Sequence, residues 1–153
     1  MSVFEDLLLK DGRLVYKTKG TSMLPMLHQN RDLVVIEVPS SRLNKFDVAL
    51  YRRGDQYVLH RVISVAPDGY RIRGDNTFSL ETVPDEDVIG VLTGFNRKGK
   101  THAVTERGYL FYVRFWNAIY PLRFAWFCVE SLLKRIARKL GVTPFLKKLF
   151  GRE

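Results

Sequence analysis

The chain has one cysteine, Cys128, so no internal disulfide can form and no cysteine-based zinc cluster can be built. Histidine is almost as scarce. His28, His60 and His102 are scattered without metal-ligand spacing, and neither a metal nor another cofactor is expected. Long apolar runs are missing too. The most apolar window, 109–129, is interrupted by Arg114, Asn117, Pro121 and Arg123. Each arginine at the centre of a spanning helix costs about 2.5–3.5 kcal/mol on insertion scales, which disfavours a simple spanning helix. At the start, Glu5 and Asp6 precede only three leucines where a secretory leader would have a basic stretch and an apolar core. An intracellular address, with the cytoplasmic face of a membrane favoured, is therefore the expectation.

Acidic residues are lacking at one end in particular. Of the 153 residues, 25 are Lys or Arg and 16 are Asp or Glu, a net charge of +9. Residues 1–104 hold 15 basic and 13 acidic side chains, whereas residues 105–153 hold 10 and 3, so the excess sits in the tail. Clustered Lys and Arg select an anionic partner, either lipid headgroups or nucleic acid. The composition, 46% hydrophobic and 27% charged, is that of a chain able to bury a core, and it excludes disordered, collagen-like and coiled-coil classes.

Residues 33–104 alternate short β-rich runs (LVVIEV, DVALYRR, YVLHRVISV, YRIRGD, VIGVLTGF, THAV) with turn residues, a pattern that predicts a twisted antiparallel sheet. Pro67-Asp68-Gly69 and Arg97-Lys98-Gly99-Lys100 suit hairpin turns. Ahead of the sheet, Ser2 can cap a helix over 3–9 ending at Asp11-Gly12, but the same residues also fit a strand. After Val104, Val129, Leu132, Leu133, Ile136, Ala137 and Leu140 recur at helical spacing, with Lys134, Arg135, Arg138 and Lys139 opposite: a basic amphipathic helix. Gly141 is placed to stop it, and Thr143-Pro144 to cap a last short helix over 145–150. The expected fold is mainly β, a coiled antiparallel sheet over 1–104 with a C-terminal helical appendage over 105–153.

The most informative stretch is Gly20-Thr21-Ser22-Met23-Leu24-Pro25-Met26-Leu27, between a strand-like lead-in and the polar turn 28–32. A serine beside glycine and shortly before proline can be held on a fixed turn, though alone it reads as a turn residue. It gains weight from Val58-Leu59-His60-Arg61-Val62 and Arg73-Gly74-Asp75-Asn76, which put a serine, a histidine and a carboxylate in chain order. A serine hydroxyl needs a positioned base to become a nucleophile, and histidine titrates near neutrality. Ser22 is thus a candidate nucleophile, His60 a candidate base and Asp75 a candidate orienting carboxylate.

In G-T-S-M-L-P-M-L, D-L-V-V, V-L-H-R-V and R-G-D-N, the chain resembles the signal peptidase I family, in the endoplasmic-reticulum and archaeal form that uses histidine where common bacterial enzymes use lysine. The resemblance covers 20–94, about half the chain, and Val88-Ile89-Gly90-Val91 resembles the strand that closes the catalytic domain. It implies a serine endopeptidase that cuts an extended peptide or preprotein after a small residue, with Met23 lining the peptide-binding surface. Three positions depart from the family pattern. Gly20 stands where many relatives have a hydroxyl residue, so the oxyanion hole would rely on backbone N–H groups such as that of Ser22, with Thr21 assisting. The extra acidic residue after the Gly-Asp-Asn motif is represented by Glu81, so either Asp75 or Glu81 is the main carboxylate partner. The pattern also has a spanning helix ahead of the serine, and none is expected in residues 1–21.

Blander readings compete residue by residue. The competing reading makes His60 a satisfied strand histidine, Arg61 a solvated surface charge and Asp75 a turn residue, and the catalytic reading is favoured over it. His28 and His102 read as surface residues, and Met23 and Met26 as core. The tail either packs on the sheet or, with Trp116 and Trp126 beside Arg and Lys, anchors at a membrane surface, and the anchor is favoured. Within the peptidase class, a cytosolic protease that trims leader segments from a dedicated peptide fits as well. From another class, a non-catalytic basic module could bind nucleic acid through the tail. The tail aromatics lie in an apolar run and are not interleaved with basic residues, which counts against it.

Overall fold

The computed structural model describes residues 3–139. Eight strands form one antiparallel sheet: β1 (Arg13–Lys17), β2 (Leu33–Glu37), β3 (Val48–Arg53), β4 (Gln56–Ala66), β5 (Gly69–Arg73), β6 (Glu81–Val83), β7 (Val88–Arg97) and β8 (Lys100–Ala103). The spatial order is β1-β2-β7-β3-β4-β5-β6, with β8 beside β7. The sheet curls into a half-barrel followed by C-terminal helices. Its curvature comes from the two longest strands, each of which changes partner along its length. β4 pairs with β3 up to Arg61 and with β5 from Arg61 onward, while β7 meets β3 over Val88–Val91 and β2 over Val91–Asn96. Register shifts at Val35/Ile36, Leu50/Tyr51 and Val62/Ser64 add the local twist that bends a sheet.

Val88-Ile89-Gly90-Val91, expected as a short closing strand, is the first part of the ten-residue central strand β7. Both expected hairpin turns are present, between β4 and β5 and between β7 and β8. The open choice at the start resolves to a helix, α1 (Val3–Asp11), with Glu5 and Asp6 in its first turn and Lys10 in its last, the arrangement the helix dipole favours. The proposed cap Ser2 lies outside the described residues. So do Leu140, the stop at Gly141 and the final helix over 145–150.

Residues of β3 alternate between two cores. Val48 and Leu50 join Leu8, Met23, Met26, Leu27, Val34, Ile36 and Phe95 on one face, and Ala49 and Tyr51 join Val62, Tyr70 and Ile72 on the other. Met23 and Met26 are core residues, as expected, and they fix the turn that carries Ser22.

The chain divides into compact units Met1–Val113 and Arg114–Glu153, later than the change in sequence character at 104. The reason is that Tyr109 and Tyr112, early in α2 (Arg107–Ala118), pack against the core of the first unit, and Val113 is buried. The second unit contains α3 (Tyr120–Lys139). This helix starts well before the expected Val129 because Pro121 sits in its first turn, where a missing N–H costs nothing. Arg123 stacks on Trp116 at 3.8 Å, and Glu130 pairs with Lys134. Leu122, Trp126, Val129, Leu132, Leu133 and Ile136 lie on one exposed apolar face of α3. Among the described residues no helix is long and apolar enough to cross a membrane.

Candidate active site

The turn 22–26 follows β1. Gly20 precedes it with φ +85°, a left-handed conformation that glycine adopts without strain, and its N–H donates to Gln29 Oε1 at 3.2 Å. Below the turn, buried Asp32 accepts from the His28 N–H at 2.9 Å and from Arg31 Nε and Nη2. Burial alone would raise the Asp32 pKa, but these hydrogen bonds hold it below the ordinary carboxylate value. His28, expected on the surface, is half-buried in this closure.

Ser22 is tied from above to the Gly74-Asp75-Asn76 turn. Its carbonyl accepts the Asn76 N–H at 2.7 Å, and the Thr21 carbonyl accepts Asn76 Nδ2 at 3.3 Å. Gly74 is where the serine turn and the histidine meet. A Cβ built there would stand 2.7 Å from the Ser22 carbonyl oxygen and 3.1 Å from His60 Nε2, so only glycine lets the three segments approach. Gly20, Thr21, Ser22, Met23, His60 and Glu81 all line one cleft of about 850 Å³.

His60 is 4% exposed on β4. Its Nδ1 lies 3.1 Å from the Tyr51 hydroxyl and 3.5 Å from Glu81 Oε1. The Tyr51 hydroxyl donates its one hydrogen to Glu81 Oε2 at 2.9 Å, so its oxygen can accept only from an Nδ1–H. That tautomer leaves the lone pair on Nε2, on the ring edge that a Cβ at Gly74 would meet. Burial lowers the His60 pKa, the Glu81 and Asp75 charges oppose that shift, and Arg53 reinforces it. Burial, and then the bond to Glu81, raises the Tyr51 pKa, so the phenol keeps its proton. Arg53 Nη1 approaches Glu81 at 3.2 Å.

The two candidate carboxylates separate. Asp75 accepts Arg61 Nε and Nη2 at 2.7 Å each and the Tyr112 hydroxyl at 3.0 Å. Glu81 is the carboxylate beside Nδ1. Arg61, read from sequence as a solvated charge, is fully buried; burial would lower its pKa, but Asp75 raises it above the ordinary arginine value. The remaining histidine, His102, is half-buried, hydrogen-bonded to Glu106 and stacked on Phe95. Among the described residues, no three His, Cys, Asp or Glu side chains are grouped to hold a metal.

Sequence reasoning missed Tyr51, Arg53 and Tyr112, and quoted Gly74 only as part of a motif. The first two carried a signal. A tight turn at Gly54-Asp55 pairs Arg53 with Gln56 and therefore Ala49 with His60, which puts Tyr51 and Arg53 on the histidine's face of the sheet. The chain matches no protein-family model, and comparison with curated proteins finds no match.

Proposed function

We propose that this chain is a serine endopeptidase of the signal-peptidase-like type, cutting extended peptides after a small residue. The observation that carries the reading is the meeting of the Ser22 turn with His60 Nε2 at Gly74, while Nδ1 is held by Tyr51 and Glu81. In this reading Ser22 Oγ attacks the scissile carbonyl as its proton passes to His60 Nε2. Backbone N–H groups at Ser22, with Thr21 assisting, receive the oxyanion, and the imidazolium returns its proton to the leaving amine. Glu81 orients and stabilises the imidazolium, acting beside and partly through Tyr51. Asp75 braces the fold beneath the site.

Substrate binding as an added strand is supported by the sheet. Residues 56–60 of β4 pair with β3 on one side, and β5 joins β4 only from Arg61 onward. Residues 16–20 line the same cleft. A peptide strand there gains main-chain hydrogen bonds while shallow pockets select its side chains. The exposed apolar face of α3, with Lys134, Arg135, Arg138 and Lys139 on the same helix, suits the boundary of an anionic membrane. We assign membrane-surface association to the tail on that basis.

The test is cleavage of extended peptides with small residues at the cut, with and without anionic vesicles, by wild type, Ser22→Ala and His60→Ala. Activity in wild type and its loss in both variants is the expected result. A wild-type protein that cuts nothing, while wild type and variants alike bind nucleic acid in a salt-dependent way, would replace the protease reading with the binding-module one.

A further inference from the structure

Two side chains beneath the cleft, Arg61 and Asp75, touch neither the peptide path nor the reacting atoms in the mechanism above, yet they are 0% and 5% exposed. Their outer partners are both on α2. The Tyr112 hydroxyl donates to Asp75 Oδ2 at 3.0 Å, and Arg61 Nη1 donates to the Tyr109 hydroxyl at 3.0 Å. Tyr109 and Tyr112 are three residues apart and so share one face of the helix. Their inner partners belong to the site. Asp75 lies between Gly74, where a Cβ would run into both the Ser22 carbonyl and the His60 ring, and Asn76, whose N–H holds the Ser22 carbonyl. Arg61 follows His60 on β4, and its Nη2 reaches Met26 Sδ at 3.2 Å, at the far end of the serine's turn. The Ser22 end of the turn is thus bonded to Asn76, the neighbour of Asp75, and the Met26 end to Arg61, and α2 holds both Asp75 and Arg61.

We propose that the hydroxyls of Tyr109 and Tyr112 are positioning groups that keep the Ser22 turn in reacting register with His60. The inference rests on the peptidase reading. Apolar covering of the sheet needs only the tyrosine rings, such as that of Tyr109 packed 5.9 Å from Phe95, whereas the hydroxyls bond the buried Arg61–Asp75 pair that adjoins the turn. Removing only the hydroxyls separates the two roles. Small displacements at a reacting pair are costly because the attack geometry is narrow.

The experiment compares wild type with the double variant Tyr109→Phe/Tyr112→Phe and with Val113→Ala, which thins the buried apolar contact of α2 and leaves both hydroxyls in place. Peptide kinetics, thermal midpoint and amide exchange at Asn76 are read for each. The double variant is expected to lose about tenfold or more in kcat with KM changed by less than about twofold. Its Asn76 amide is expected to exchange faster relative to the Leu50 amide in β3. Val113→Ala is expected to lower the thermal midpoint while keeping kcat and the Asn76-to-Leu50 ratio. The proposal is overturned by a double variant with wild-type kcat and Asn76 protection, or by a Val113→Ala protein whose kcat and Asn76 protection fall as the double variant's do. A wild-type protein without peptidase activity refutes the peptidase reading instead, and the Asn76 exchange still decides whether α2 holds the turn.

Discussion

His60 and Arg61 are consecutive on β4, point to opposite faces of the sheet, and each stands near a carboxylate. On the His60 side, the Glu81 side chain is 24% exposed at the edge of the cleft and is shared among Tyr51, Arg53 and the imidazole. On the Arg61 side, the Asp75 side chain is 3% exposed and takes two guanidinium bonds in parallel. The first environment tolerates a change of protonation, because water and a half-exposed arginine can follow the charge. The second cannot lose either charge without stranding the other in the interior. In the peptidase reading, proton transfer belongs to the open pair and bracing to the closed one.

The comparison breaks most severely at the closed pair. Asp75→Ala leaves the Arg61 guanidinium buried and unpaired, and about 3–5 kcal/mol of stability should be lost. Urea denaturation measures this, and wild-type stability in the variant would show that Asp75 is no brace. Glu81→Gln should do the reverse. It should lower kcat about 10²-fold by loosening the base, with a stability change within about 1 kcal/mol, since the carboxylate is partly solvated. Equal losses of activity and stability in both variants would erase the distinction between the two sides. Gly74→Ala strikes the point where the networks meet. Its new Cβ, at 2.7 Å from the Ser22 carbonyl oxygen, should cost about 1–3 kcal/mol and lower kcat as well.

Local pattern was enough to read seven of the eight strands, both hairpins and the candidates Ser22 and His60, because alternation, glycine-bearing turns and nucleophilic chemistry are all written in short segments; the three-residue β6 is too short to show alternation. Environment was not. Arg61 read as a solvated charge because a charged residue in a strand usually faces water, and only the convergence of Asp75, Tyr109 and Met26 accounts for its burial. The choice between Asp75 and Glu81 stayed open for the same reason, since it depends on which face of β4 each carboxylate reaches. Pro121 read as an interruption, although a proline in a first turn begins a helix as readily as it ends one.

The smallest effect tests the open pair most finely. His60 is buried, which lowers its pKa; Glu81 and Asp75 pull it back up, and Arg53 pushes it down. In the peptidase reading the base must be neutral to accept the Ser22 proton, so a lowered pKa would keep the site competent further into acid. The acid limb of kcat/KM for wild type should therefore fall below the ordinary histidine value. Arg53→Gln removes a cation that disfavours imidazolium, so the limb should move up in pH. Glu81→Gln removes an anion that favours imidazolium, so in the residual activity of that variant the limb should move down. The Arg53 side chain is 52% exposed, and screening should shrink its shift as salt rises beyond about 0.1 M, where the Debye length is about 10 Å. The shift from Glu81, closer and less exposed, should persist. Opposite signs with unequal salt dependence would place both charges on the same imidazole, whereas two limbs that move together would assign the titration to a group other than His60.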